Sequence, residues 1–172
     1  RFMPDGTVTF HAHDYVGARM TAKRMRALHF DKQTIKDVSR LVELHLRFHG
    51  YADSPWSDSA VRRYVTDAGP LLARLGCLTR ADVTTGNRRK AAMLSHAYDD
   101  LERRIEALRQ QEELASIRPE LDGQEIMAEL DIKPGPEVGK AYKFLLDLRM
   151  ERGPIGKELA REALHSWWAT QQ

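Results

Sequence analysis

Three clusters in this sequence hold residues that could do chemistry. The first is Leu130-Asp-Ile-Lys-Pro-Gly-Pro-Glu-Val-Gly-Lys-Ala-Tyr142. Pro134, Gly135 and Pro136 stop one helix and pre-set the start of the next. Gly139 lies one turn further in, where a missing side chain lets a backbone or a phosphate come close. Lys133, Lys140 and Lys143 surround that start with positive charge. Exposed N–H groups at a helix N-terminus plus lysines bind anions, and a nucleic-acid backbone is the macromolecular anion they fit. The same spacing also suits an ordinary helical corner with solvated lysines. The second cluster is Thr84-Thr-Gly-Asn-Arg-Arg-Lys90. Thr85 or Asn87 can cap a helix there, while Arg88, Arg89 and Lys90 face either solvent or phosphate. The third is a set of histidines in two near pairs, His11 with His13 and His45 with His49. His45 and His49 stand four apart, a spacing that can chelate a metal from one helix face, with Asp14 and Asp82 as oxygen donors. Histidines with ordinary hydrogen bonds are the plainer reading, since no His-Glu-x-x-His signature is present.

The elements that must position these residues are almost all helical. Pro4-Asp5-Gly6 makes a turn, and Thr7-Val8-Thr9-Phe10 alternates like half a hairpin or a loop. From His13 onward the period is helical. Val16, Met20, Met25 and Leu28 mark a first helix ending near Phe30. Ile35, Val38, Leu41, Val42 and His45 mark a second. Ser57 or Asp58 caps a third through Tyr64. Gly69-Pro70 then precedes a short helix, Leu71 to Leu75. A long helix is predicted over 88–116, ended by Arg118-Pro119. Its seam is Leu94, Tyr98, Leu101, Ile105 and Leu108, and Glu102, Arg103, Arg104, Glu106 and Arg109 form an outer face read as solvated. Helices near 123–131, 136–151 and 157–169 follow. The expected class is all-α: a helical body, a long connecting helix and a small C-terminal bundle.

Composition bounds the function. The 172 residues, 42% apolar and 30% charged, describe a globular protein able to bury one good core. No apolar run reaches membrane-spanning length. The single cysteine, Cys77, excludes an internal disulfide and a cysteine zinc cluster, and fits a reducing cytoplasm. The start lacks both an initiating Met and the order of a signal peptide, so a piece of a longer chain is expected. A net charge of +2 makes no case for nucleic acid by itself; only local clustering does.

Four segments resemble one family in order. Phe10-His-Ala-His-Asp-Tyr-Val-Gly-Ala18 resembles a helix start in the HD domain of bacterial CCA-adding enzymes and poly(A) polymerases. Leu41-Val-Glu-Leu-His45 is similar to that family's second histidine-bearing helix, and Leu78-Thr-Arg-Ala-Asp82 through Asn87 to its Arg-Ala-Asp segment. Ile132-Lys-Pro-Gly-Pro-Glu-Val-Gly139, just after Leu121-Asp-Gly-Gln-Glu-Ile-Met127, is similar to its tail motif. Together they cover nearly the whole chain and are most similar to actinobacterial tRNA nucleotidyltransferases.

The resemblance implies a division of labour. The family's head carries an Asp-x-Asp pair for two-metal transfer, and its neck reads the base with Glu-Asp-x-x-Arg; neither occurs here. The HD dyad itself would lie just before residue 1. His13, His45 and Asp82 then fall at downstream metal-ligand positions of an incomplete HD site, where a divalent metal would bind weakly. The parent enzyme would use Mg2+, CTP and ATP, and this chain would grip tRNA without transferring nucleotides itself. The RNA contacts expected are Arg88, Arg89, Lys90, Lys133, Lys140 and Lys143, reading shape and phosphate. The expected parts are body at 1–87, connecting helix at 88–118 and tRNA-binding tail at 119–172, in the cytoplasm and away from membranes. Two alternatives remain: an HD-type metal-dependent phosphohydrolase module and a non-catalytic helical interaction domain.

Overall fold

The computed structural model describes residues 12–54, 56–83, 85–114 and 117–171. Among them the protein is all-α, as its periodicity predicts, and contains no strand. The helices are α1 (His13–Ala27), α2 (Lys32–Leu44), α3 (His49–Asp53), α4 (Asp58–Ala68), α5 (Leu72–Ala81), α6 (Arg88–Gln111), α7 (Gly123–Leu130), α8 (Pro136–Arg152) and α9 (Lys157–Ala169). Short 3-10 turns, His45–Phe48 and Gly69–Leu71, lead into α3 and α5. His11 and the Thr7–Phe10 stretch lie outside the described residues. No helix among those described is long and apolar enough to cross a membrane.

Polar residues set the helix starts. Asp31 accepts a 2.9 Å bond from the Thr34 N–H and opens α2. Ser57 Oγ accepts from the Ala60 N–H at 3.3 Å and opens α4. Asp122 and Glu125 form a reciprocal capping box on α7.

The chain divides into two units that interleave in sequence. The first takes Arg1–Pro55 and Ala68–Leu101; the second takes Trp56–Asp67 and Glu102–Gln172. In the first unit α1 packs along α2 through small residues. Ala18 is buried, and a Cβ on Gly17 would meet Val42 Cγ1 at 3.3 Å. Here the structure corrects the expected apolar face of α1. Val16, Met20 and Leu28 are exposed, because close approach of the two backbones selects Gly17 and Ala18 for the contact. Phe48 packs on Tyr98 with ring centroids 4.5 Å apart, and the Tyr51 hydroxyl donates to Asp100.

In the second unit Leu121, Ile126, Ala141, Leu145, Ala160 and Leu164 make a core joining α7, α8 and α9. Burying each of its leucines contributes about 1.5–3 kcal/mol. The seam predicted on α6 is buried throughout, from Leu94 to Leu108. Its next position is Glu112, and the helix stops at Gln111 rather than running to 116. The Glu112 carboxylate is buried because Arg62 Nε and Arg149 Nη1 donate to it at 2.8 and 2.6 Å. Arg62 also donates to the Met150 carbonyl at 3.2 Å. Gly153 closes α8 at φ 76°, and a Cβ there would lie 2.8 Å from Arg62 Nη2, so both conformation and space demand glycine. Arg104 departs from the solvated face expected for it: it is half-buried and donates to the Trp56 carbonyl and to Asp58 Oδ1 at 2.7 Å.

Candidate nucleic-acid interface and histidine pair

The Lys-Pro-Gly-Pro corner forms as its residues dictate. Asp131 ends α7 in the left-handed region at φ 50°, and Ile132 N–H returns to the Met127 carbonyl at 3.1 Å. Gly135 is extended and Pro136 occupies the first turn of α8. Among the described residues no side chain caps α8, but Pro136 carries no N–H and the Val138 N–H donates to the Gly135 carbonyl at 3.2 Å, so this start presents fewer amide donors than an open helix end. Lys133, Lys140 and Lys143 are all exposed. Glu137 lies in the same turn. Its Oε1 is 3.9 Å from Lys140 Nζ, and its Oε2 is 3.4 Å from where a Cβ on Gly135 would sit. A carboxylate thus folds back over the helix start. Gly139 is exposed, and a Cβ there would meet nothing within 4 Å, so protein packing places no demand for glycine at that position.

The second basic start is capped more fully. Asn87 Oδ1 accepts from the Arg89 and Lys90 N–H groups at 3.0 and 3.2 Å, and Thr85 Oγ1 accepts from Asn87 N–H at 3.2 Å. Arg88, Arg89 and Lys90 are exposed, and the first turn of α6 holds no acid. The cap consumes two of the helix's amide donors, so here the side chains carry the positive charge. The two basic starts belong to different units, α6 in the first and α8 in the second.

The histidines sort differently from their spacing. His13 opens α1 and His45 follows α2, and their rings meet edge-on with centroids 5.6 Å apart. His45 Nδ1 lies 2.5 Å from the Val42 carbonyl. A carbonyl only accepts, so the proton sits on Nδ1 and Nε2 carries the lone pair that can accept a hydrogen bond or bind a metal. His49 does not share a face with His45, because the 3-10 turn between them advances about 120° per residue rather than 100°. Asp82 closes α5 through its N–H to the Leu78 carbonyl at 2.9 Å, with its side chain exposed. Among the described residues, no three His, Cys, Asp or Glu side chains are grouped to hold a metal ion. The structure therefore joins His13 to His45 and does not add Asp82 as a third ligand. Two imidazoles fall short of the set that a hard divalent cation takes.

Arg80, quoted in the Arg-Ala-Asp segment but given no role there, has a clear one. It lies over the Tyr98 ring at 4.3 Å and pairs with Asp99 at 2.7 Å, fastening α5 to α6. Its signal was an arginine one turn from a helix end, which sequence alone does not separate from a solvated charge.

No protein-family profile matches the chain, and no solved structure does. Two curated proteins do. The A-adding tRNA nucleotidyltransferase of Deinococcus radiodurans is 32% identical over 171 residues, which is 98% of this chain and 38% of that protein. The CC-adding tRNA nucleotidyltransferase of Thermus thermophilus is 34% identical over 171 residues, 97% of this chain and 36% of that protein. The chain thus spans a little over a third of the length of the curated relatives it matches. Over nearly its whole length, it is similar to one part of these two tRNA nucleotidyltransferases.

Proposed function

We propose that this chain is the part of a CCA-type tRNA nucleotidyltransferase that grips the tRNA, and that by itself it transfers no nucleotide. One observation carries the reading. Nearly the whole chain, 98% and 97% of it, matches an A-adding and a CC-adding enzyme at 32% and 34% identity. A portion shared to that extent by enzymes that add different nucleotides serves what both require, and both require tRNA. The exposed basic start of α8 fits this task, as does that of α6. Phosphate contacts hold a register on the A-form arms and need no base code. CTP, ATP and Mg2+ then belong to chemistry outside these residues, and the tRNA partner implies work in the cytoplasm.

The test is a tRNA gel shift across a salt series. Each neutralised phosphate contributes about one unit to the slope of log affinity against log salt. Lys140→Glu, one turn inside α8, is expected to weaken all tRNAs alike, and Arg109→Glu on α6 to change little. Incubation with tRNA, CTP, ATP and Mg2+ is expected to leave the 3′ end unextended. Parent-like binding by Lys140→Glu with loss in Arg109→Glu would move the RNA path away from α8. Extension of the tRNA would refute the division of labour.

A further inference from the structure

Between α8 and α9 lies a groove of 620 Å³ that the basic helix starts do not explain. Its walls include Phe144, Leu148 and Arg152 on α8 and Leu159, Glu162 and Trp167 on α9. Phe144 and Trp167 stack with centroids 5.0 Å apart and planes 11° from parallel. Both rings are half-buried, so aromatic surface faces the groove as well as the core. Leu159 is 55% exposed on its rim. The charges around this apolar floor are ordered. Lys140, Phe144, Leu148 and Arg152 follow one another at steps of four along one stripe of α8. An apolar, aromatic middle therefore lies between two exposed cations about 18 Å apart at 1.5 Å per residue. At one phosphate per about 3.4 Å of stacked strand, that length takes about five nucleotides, fewer if they are splayed.

We infer that this groove receives unpaired RNA bases, which stack against the Phe144–Trp167 pair while Lys140 and Arg152 take the flanking phosphates. Unstacked loop bases are what aromatic platforms recognise in RNA, and the pattern of cation, aromatic and cation along one helix is the complement of phosphate, base and phosphate. Glu162 adds a preference. A carboxylate accepts from exocyclic amino groups, which adenine, cytosine and guanine carry and uracil lacks. The inference rests on the tRNA reading above and deepens it, since phosphate contacts alone carry no base information.

The experiment uses the whole chain with tRNA and with the short single strands oligo(A) and oligo(U), reading affinity and tryptophan emission. Trp167→Leu removes the stacking face and keeps apolar bulk. Leu159→Glu sets a carboxylate on the exposed rim and leaves the core untouched. Circular dichroism checks that each variant retains the parent's helix content. Loss of one stacked base corresponds to roughly a tenfold or greater drop in affinity. Both variants are expected to lose at least about tenfold for tRNA, with the salt slope of Trp167→Leu unchanged because no phosphate contact is removed. Oligo(A) is expected to quench emission more than oligo(U). If tRNA binds both variants as it binds the parent, while Lys140→Glu weakens it, the tRNA reading stands and the groove is not an RNA site. If the parent binds no tRNA, both readings fall together.

Discussion

Neutralising Glu112 is expected to unfold the second unit at markedly lower denaturant. Its side chain is 2% exposed and lies between Arg62 at 2.8 Å and Arg149 at 2.6 Å, with Glu120 3.7 Å from Arg149. The four charges balance. Glu112→Gln keeps the shape, retains one acceptor oxygen and leaves one excess positive charge in a buried place. Each charge-assisted bond is worth about 1.5–3 kcal/mol, and breaking a buried pair costs about 3–5 kcal/mol. About 3 kcal/mol is expected for Gln, toward the lower end because one bond survives. With a urea slope near 2 kcal/mol/M, that moves the midpoint down by about 1.5 M. Tryptophan emission is the appropriate probe, since Trp56, Trp167 and Trp168 all lie in the second unit. Removing Arg62 together with Glu112, as Arg62→Met with Glu112→Gln, leaves Arg149 facing Glu120 in balance. The double variant is therefore expected to lose less than the sum of the two single changes. A Glu112→Gln midpoint within about 0.25 M of the parent, or strict additivity in the double variant, would show that the cluster does not act as a charge-balanced unit.

Glu137→Gln removes the carboxylate that folds over the start of α8 and lies 3.9 Å from Lys140. At low salt tRNA affinity is expected to rise about two- to fivefold, from the 0.3–1 kcal/mol typical of exposed helix-end charges, and unchanged or weaker binding would contradict this. Gly139→Ala adds a Cβ to open space inside a helix. It is expected to raise stability by about 0.5–1 kcal/mol while weakening tRNA binding if a phosphate uses that opening, and lower stability in urea would refute the packing argument. Three carboxyls lie below their ordinary range: Asp31 through its hydrogen bonds from Thr34, Glu125 through Lys157, and Glu151 through Arg63. A lowered folded value contributes stability that is complete above the ordinary carboxylate range and fades as pH falls through the folded values. The urea midpoint is expected to drop below about pH 4, less so in Asp31→Asn, and a flat profile from pH 6 to pH 3 would count against it.

Local signals carried much of the fold. Capping residues and Pro/Gly corners set the bounds of α4, α7, α8 and α9 within a residue or a few, because each acts on its own neighbours. The seam of α6 was legible because its period repeats over several turns. The face of α1 was not, since hydrophobicity alone favours Val16 and Met20 over Gly17 and Ala18, and only the position of α2 reverses that order. Arg104, Arg80 and Glu112 were equally opaque: a charged residue on a helix looks the same in sequence whether it faces water or a partner 48 or 50 positions away. The basic starts could be found from residue type, whereas the α8/α9 groove needs two helices brought side by side. The 3-10 turn between His45 and His49 could not be read either, because four residues of it carry no period that separates it from an α-turn.

Because the second unit borrows Trp56–Asp67 from within the sequence of the first, its assembly has an order imposed by the ribosome. Helix α4 carries Val61, Tyr64 and Val65, all buried in the finished protein, and its Arg62 is held by Glu112 and the Met150 carbonyl. Synthesis at about 5–20 residues per second leaves α4 waiting roughly 4 to 18 seconds for position 150. Until Arg104 and Glu112 are made the helix lacks these later partners, and until Met150 is made Arg62 lacks its last acceptor, which leaves its apolar face open to association with other nascent chains. For the same reason no single cut releases the second unit by itself. A piece beginning at α6 lacks α4 and leaves Glu112 short of Arg62, while a piece ending before α6 exposes α4 permanently.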